Sequence, residues 1–316
     1  MPRVVALAGG VGGARLAHGL AAVVPPEELA IVVNTGDDEE FHGLLVCPDH
    51  DTVLYTLAGL ADRERGWGLG GETWAAAEML ARLGEPTWFA LGDRDLALHV
   101  HRTRCLRDGA RLTEVSRGIQ RALGVATPIL PMTDEPVRTR VRTPDGWLSF
   151  QEYFVHRHQE PEVLEVAFAG SDAARPTPEV AAALATAEAI VVAPSNPFVS
   201  IGPILAVPGM RDLLAAARAR GAGVAAVSPL VGGRALRGPA DRMATSLGGE
   251  ASAAGIARLY AGLVDALLID EVDAAQAPTI AALGIRPVVG PTVMTDDASR
   301  AALAAAAVAA ASRGAS

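Results

Sequence analysis

The sequence predicts an α/β fold: a Rossmann-like three-layer α/β/α arrangement around a mainly parallel sheet, with a smaller antiparallel segment inserted. Three observations predict it. Apolar runs of strand length alternate with helical segments over most of the 316 residues, which is the pattern of a parallel sheet covered on both faces. Each unusual polar cluster (Gly9–Arg15, Asn34–Asp38, Gly92–Asp95, Ser195–Pro197, Ser228–Arg234) follows such a run, and ligands of these folds sit beyond the carboxyl ends of the strands. Near 137–170 the rhythm changes to alternating residues around Pro144-Asp145-Gly146, a hairpin signal with a third extended piece behind it. We read 1–316 as one such domain carrying a β insertion near 137–170.

In chain order, Val4–Ala8 is a buried strand, and Leu16, Leu20, Val23 and Val24 share one face of a helix stopped by Pro25-Pro26. Ala30–Val33 is the second strand. Asp51 or Thr52 can cap a helix running to Leu60, and Glu72–Leu83 is a helix ending at Gly84. "TWFALG" reads as a strand, Asp93 onward as a helix, Thr113–Leu123 as a helix and "ATPILPM" as a strand. Beyond the insertion, "AIVVAP", "GVAAVSP", "ALLIDE" and "RPVVGPTVM" are strand-like, with a helix around Ser252–Leu263. The Ala-rich tail from Ala301 is a terminal helix, too short for the roughly 20 residues of a bilayer crossing.

The formal net charge of −9 argues against a nucleic-acid partner. All 27 basic residues are arginine, which excludes Schiff-base chemistry and a lysine-dependent nucleotide loop. Anion binding then falls to guanidinium groups, main-chain amides, helix termini or a metal. Cys47 and Cys105 form no CxxC pair and no disulfide framework, and the N-terminus runs straight into a strand. The expectation is a cytoplasmic protein with no membrane partner.

The opening loop, Gly9-Gly10-Val11-Gly12-Gly13 with Arg15, fits neither GxGxxG nor the Walker pattern. It is either a tight turn for close packing or a phosphate cradle; its place after the first strand and its arginine favour phosphate. Asn34-Thr35 precede Asp37 and Asp38, and Asp49 and Asp51 follow in "CPDHDT". These aspartates are hard oxygen ligands suited to Mg²⁺, or else turn and helix-cap residues. Asp93, Arg94, Asp95 and His99 cluster at a strand-to-helix turn, where an N-capped helix is the plainer reading. Ser195-Asn196-Pro197 suits a base or ribose, and Gly232-Gly233 with Arg234 and Arg237 suits an anion. No G-x-S-x-G, HExxH or CxxC motif is present.

Taken together, "GGVGGARL", "VVNTGDD", "HGLLVCPDHDTVLYTLAG", "RGWGLGGETW", "LGDRDLALH", "LPMTDEPV", "FQEYF", "APSNPFVSIGPIL", "VSPLVGGRALRGPA" and "LLIDE" resemble the 2-phospho-L-lactate transferases of coenzyme F420 biosynthesis, including their phosphoenolpyruvate-transferring relatives. The resemblance implies a transferase. A guanylyl diphosphate donor would give a phospho-three-carbon-acid group to the ribityl hydroxyl of the deazaflavin precursor Fo, releasing GMP. It implies Mg²⁺ on Asp37 and Asp51, with Asp93 a further catalytic candidate. Gly9, Gly10, Gly12, Gly13 and Arg15 would hold phosphate, with Asn34 and Thr35 beside them. Ser195, Asn196, Pro197, Gly232 and Gly233 would hold guanosine. Trp67, Asp93, Arg94 and Asp95 would lie near the deazaflavin. It also implies a homodimer. Arg15 stands where some relatives have Lys, and His50 where Leu is frequent. The alternative of the same fold is a non-enzymatic nucleotide-sugar-binding regulator.

Overall fold

A computed structural model describes residues 2–62 and 64–312. The chain begins β1 (Val4–Ala8), α1 (Gly10–Val23), β2 (Leu29–Val33), a short hairpin β3 (Glu39–Phe41) and β4 (Leu44–Val46), and α2 (Pro48–Leu57). It continues with α3 (Ala75–Arg82), α4 (Asp93–Arg107), α5 (Leu112–Ala122) and β5 (Ile129–Pro131). The predicted insertion follows as β6 (Arg138–Thr143), β7 (Gly146–Ser149) and β8 (Glu165–Ala169), a three-stranded antiparallel sheet in the order β7-β6-β8. Then come α6 (Pro178–Thr186), β9 (Ala189–Val192), α7 (Ile201–Ala206), α8 (Met210–Ala219) and β10 (Gly223–Val227). A second hairpin, β11 (Leu230–Val231) and β12 (Arg234–Ala235), leads to α9 (Ala240–Ser246) and α10 (Ala253–Leu259). The chain closes with β13 (Ala266–Ile269), α11 (Ala277–Ala281), β14 (Arg286–Val289) and α12 (Asp297–Ser312).

The central sheet has seven strands in the order β14-β13-β10-β9-β1-β2-β5, every pair parallel. Its middle strands are apolar throughout because both faces are covered. Val5 and Leu7 point into a core shared with α6, α7, α8 and α10, whereas Val4, Ala6 and Ala8 point into one shared with α1, α2, α5 and α12. From β1 the chain moves one way to β2 and β5, and later the other way from β9 to β14. The strand order therefore reverses between β1 and β9, and a crevice forms at such a switch point.

Three local expectations change. "TWFALG" is not a strand; Trp88 and Phe89 instead pack with Phe41, Val46 and Leu91 in a small cluster outside the sheet, Phe89 stacked on Phe41 at 4.0 Å. α3 starts at Ala75 rather than Glu72, because the Glu72 carboxylate accepts from the Arg94 and Asp95 N–H groups and so caps α4. α2 starts at Pro48 after Cys47, so neither Asp51 nor Thr52 is its N-cap. The run after Asp38 also holds the β3–β4 hairpin, turned by His42-Gly43 with both φ angles positive.

Part of the opening loop serves packing. A Cβ on Gly12 would lie 2.4 Å from the Pro194 carbonyl oxygen. Gly12→Ala is therefore expected to cost about 1–3 kcal/mol by pushing α1 off the turn after β9. An unchanged melting temperature would show that this contact does not set the helix position.

Candidate functional site

A cavity of about 750 Å³ opens at the switch point and brings most of the polar clusters together. The first loop contributes Gly9, Gly10, Gly12 and Arg15, and the turn after β9 contributes Ser195, Asn196 and Ser200. Ser195 locks the two together: its Oγ accepts from the Gly9 N–H at 3.1 Å and donates to the Gly9 carbonyl at 2.7 Å. Gly10 takes φ +63° and opens α1, where its N–H donates to the Asp49 carboxylate. The helix N-terminus with its partial positive charge thus borders the cavity.

Asp37 and Asp49 both line this space, and both are buried. Asp49 is held from two sides, by the Gly10 N–H at 2.7 Å and by Asn34 Nδ2 at 2.9 Å. The buried Oδ1 of Asp37 has no hydrogen-bond partner among the described residues. Burial raises the Asp37 carboxyl well above the usual range, and the charge of Asp49 raises it further, against the hydrogen-bonding pull of Asn34 and Thr139. Burial raises Asp49 to about 6 against its two hydrogen bonds. Two carboxylates placed together out of water cannot both ionise cheaply without a cation. Their hard oxygens and the unsatisfied Oδ1 fit a divalent metal ion.

Asp51 lines the same cavity but is already paired. Residues two apart on a helix point about 200° from each other, so Asp49 and Asp51 reach it from different sides of α2. Arg102, fully buried, donates from Nη1 to Asp51 Oδ2 at 3.0 Å and from Nη2 to Oδ1. Burial alone would raise the Asp51 carboxyl, but Arg102, with His50 and His99, holds it well below the usual range. His99 lies 3.2 Å from Asp95, whose Oδ1 accepts from the Tyr55 hydroxyl. Asp51, Asp95 and His99 each offer an atom within 4.8 Å of the others, a spacing compatible with a metal cofactor. The Arg102 guanidinium already matches the charge there, whereas among the described residues no arginine is paired with Asp37 or Asp49.

Comparison with known proteins decides the family. The family model described as 2-phospho-L-lactate transferase CofD matches residues 4–289. The chain belongs to the CofD family. It is a transferase. A phosphoenolpyruvate transferase from Streptomyces griseus is 44% identical over 308 residues, covering 96% of each chain. A 2-phospho-L-lactate transferase from Methanosarcina barkeri is 38% identical over 292 residues, covering 92% of this chain and 93% of its own. A solved UPF0052-family protein from Bacillus halodurans shares the fold, with a TM-score of 0.64 at 15% identity over 96% of this chain and 98% of its own. No helix among the described residues is long and apolar enough to cross a membrane.

In this CofD-family site the other sequence candidates take varied places. Asp93 caps α3, accepting from the Ala75 and Ala76 N–H groups at 3.1 and 2.9 Å, and does not line the cavity. Arg94 donates to the Gly70 carbonyl at 2.8 Å and also lies outside the lining, whereas Asp95 is part of it. Asn34 and Thr35 are buried behind Asp49 and the loop, and Gly13 packs against Ser195 and Ala8. Asn196 lines the cavity while its Oδ1 accepts from the Phe198 N–H at 2.9 Å; Pro197 is not in the lining. Gly232 and Gly233 form the β11–β12 turn, with the Gly232 N–H donating to Asp273 at 2.9 Å, and are not in the lining either. Trp67 lines the cavity at 45% exposure, with Arg65 over its ring at 5.0 Å.

Sequence reasoning left out Tyr55, Arg102, Trp88 and Phe89. Asp95, His99 and Arg102 are spaced i, i+4, i+7 on α4, one helix face, and that spacing was the available signal. Nothing in the sequence linked Arg102 to Asp51, which lies on another helix.

These buried carboxyls make stability depend on pH. Burial raises Asp38, behind the site, to about 7, against the pull of Arg138. A carboxyl whose folded pKa is raised contributes stability below its unfolded pKa and loses it as pH rises through the folded value. In EDTA, thermal stability is therefore expected to fall between about pH 4 and pH 7 through Asp37, Asp38 and Asp49. Added Mg²⁺ should recover the share due to Asp37 and Asp49. Melting curves that rise over this range in EDTA, or that ignore Mg²⁺ at pH 7, would remove the argument.

Proposed function

We propose that this protein transfers a phospho-three-carbon-acid group, 2-phospholactyl or phosphoenolpyruvyl, from a guanylyl diphosphate donor to the ribityl hydroxyl of Fo in coenzyme F420 biosynthesis, with Mg²⁺ as cofactor. The buried Asp37–Asp49 pair, paired with no arginine among the described residues and facing a glycine-rich helix N-terminus at the switch point, carries the reading. Names of relatives supply the transferred groups.

Such a transfer needs positioning and charge neutralisation more than a covalent nucleophile. Asp37 and Asp49 would hold the Mg²⁺, which when bound supplies positive charge against the diphosphate and the departing monophosphate. The α1 N-terminus and Arg15 meet the phosphates from the other side. Ser195 and Asn196 border the guanosine end, and the aromatic wall of Trp67, Trp88 and Phe89 suits a flat deazaflavin. The Fo hydroxyl forms the new P–O bond as the bond to GMP breaks. Its proton passes to Asp95, a carboxylate of the lining with no arginine on it among the described residues.

Incubation of Fo with lactyl and enolpyruvyl donors, followed by mass spectrometry, tests this directly. GMP and a phosphodiester of Fo are expected with Mg²⁺ and not with EDTA. Undiminished product in EDTA would sink the metal assignment. Thermal stabilisation by UDP-sugars but not by GDP, with no transfer, would instead support the regulator.

A further inference from the structure

We propose that Arg237 recognises the carboxylate of the transferred three-carbon acid; this rests on the transferase reading above. The cavity sorts its charge. Four aspartates, Asp37, Asp49, Asp51 and Asp95, line it, and the arginines in its lining are Arg15 and Arg237. Arg102, Arg111 and Arg218 are each paired with carboxylates. Arg15 and Arg237 have no such partner among the described residues, and the charged neighbours of Arg15 are two further cations, Arg237 and Arg300. Two unpaired guanidiniums in one cavity call for anions from the ligand.

Position divides the labour between them. Arg15 stands on the first turns of α1, beside the glycine loop. Arg237, on the segment between β12 and α9, reaches to the loop before Trp67. A Cβ on Gly66 would lie 2.3 Å from Arg237 Nη1 and 2.9 Å from its Cζ, and Gly66 takes φ +76°. Arg237 therefore stands between the phosphate loop and the indole proposed to face the acceptor ring. The acid is attached to the phosphorus that the acceptor attacks, so it lies between the two substrates. Phosphoenolpyruvate and 2-phospholactate both carry a carboxylate on the carbon bearing the phosphate ester. The aspartate wall repels that carboxylate, and a planar guanidinium holds it through two parallel hydrogen bonds.

The test compares the lactyl donor with an analogue whose carboxylate is replaced by methyl, in the unsubstituted protein and in Arg237→Gln, Arg237→Lys and Arg15→Gln. The unsubstituted protein should favour the lactyl donor in kcat/KM by roughly 10- to 100-fold, the range of a hydrogen-bonded charge. Arg237→Gln should bring this ratio towards one by losing rate on the lactyl donor, and Arg237→Lys should regain part of it. Arg15→Gln should slow both donors in proportion and keep the ratio. Thermal melting confirms that each variant folds. If Arg237→Gln slows both donors equally, Arg237 serves the diphosphate or the Gly66 loop and the proposal fails. If the unsubstituted protein turns over neither these donors nor the enolpyruvyl donor, the transferase reading falls, and this inference with it.

Discussion

Asp49→Asn is expected to slow transfer roughly a thousandfold, because cationic neutralisation at a reacting phosphate contributes several kcal/mol. Asn preserves the shape and can still accept from the Gly10 N–H, which Asp49 Oδ1 does at 2.7 Å. The fold should survive with a modest loss of stability, because the amide keeps one acceptor and leaves the Asn34 Nδ2–H that donates to Asp49 Oδ2 facing another N–H donor. Asp51→Asn is the comparison that decides. It should keep its response to Mg²⁺ while losing stability, because the partner of Arg102 has been neutralised. Measured rates over a Mg²⁺ titration separate the two. If Asp51→Asn lost the Mg²⁺ response and Asp49→Asn kept it, the cation would belong with Asp51.

Arg102→Met is expected to give the largest loss of stability. Removing one partner of a buried ion pair leaves the other charged and unmatched, at a cost of about 3–5 kcal/mol. For a chain of this size the melting temperature should drop on the order of 10 °C. Replacing both partners, Asp51→Leu with Arg102→Met, should recover most of that loss, because two apolar groups of similar volume need no partner. The pH response should also weaken. In the unsubstituted protein the depressed Asp51 carboxyl contributes stability above its unfolded pKa and loses it in acid. Without Arg102, burial pushes Asp51 up against His50 and His99 only, so the single variant should lose less of its stability as pH falls. A loss of less than about 1 kcal/mol would show the pair to be exposed rather than buried.

Much of the fold was legible because its signals are local. Val4–Ala8, Leu29–Val33 and Ala189–Val192 are apolar at every position, as strands buried on both faces must be. Alternation in Arg138–Thr143 likewise announced a sheet with one wet face. The same local reasoning misread "TWFALG", because an apolar run does not say whether its partner is a strand or an aromatic cluster. It also read Glu72 as the start of its own helix, whereas Glu72 caps α4, and Asp93, the first residue of α4, caps α3 in turn. Two ends brought together in space exchange caps, and no spacing along the chain records that.

By itself, the sequence determined the alternation of strands and helices, the inserted antiparallel sheet, the placing of polar clusters after strands, and a chemistry limited to arginine, carboxylate and metal. Those properties follow from period, composition and the backbone freedom of glycine. Only the tertiary structure decided how each carboxylate is partnered. The charge of Asp49 acts on the buried Asp37, and Asp49 is held by the Gly10 and Asn34 N–H groups. Asp51 is matched by Arg102, 51 residues away on α4. Arg15 and Arg237 share one cavity because the strand order reverses between β1 and β9. Charge pairing depends on distance and burial, and both are properties of the packed chain.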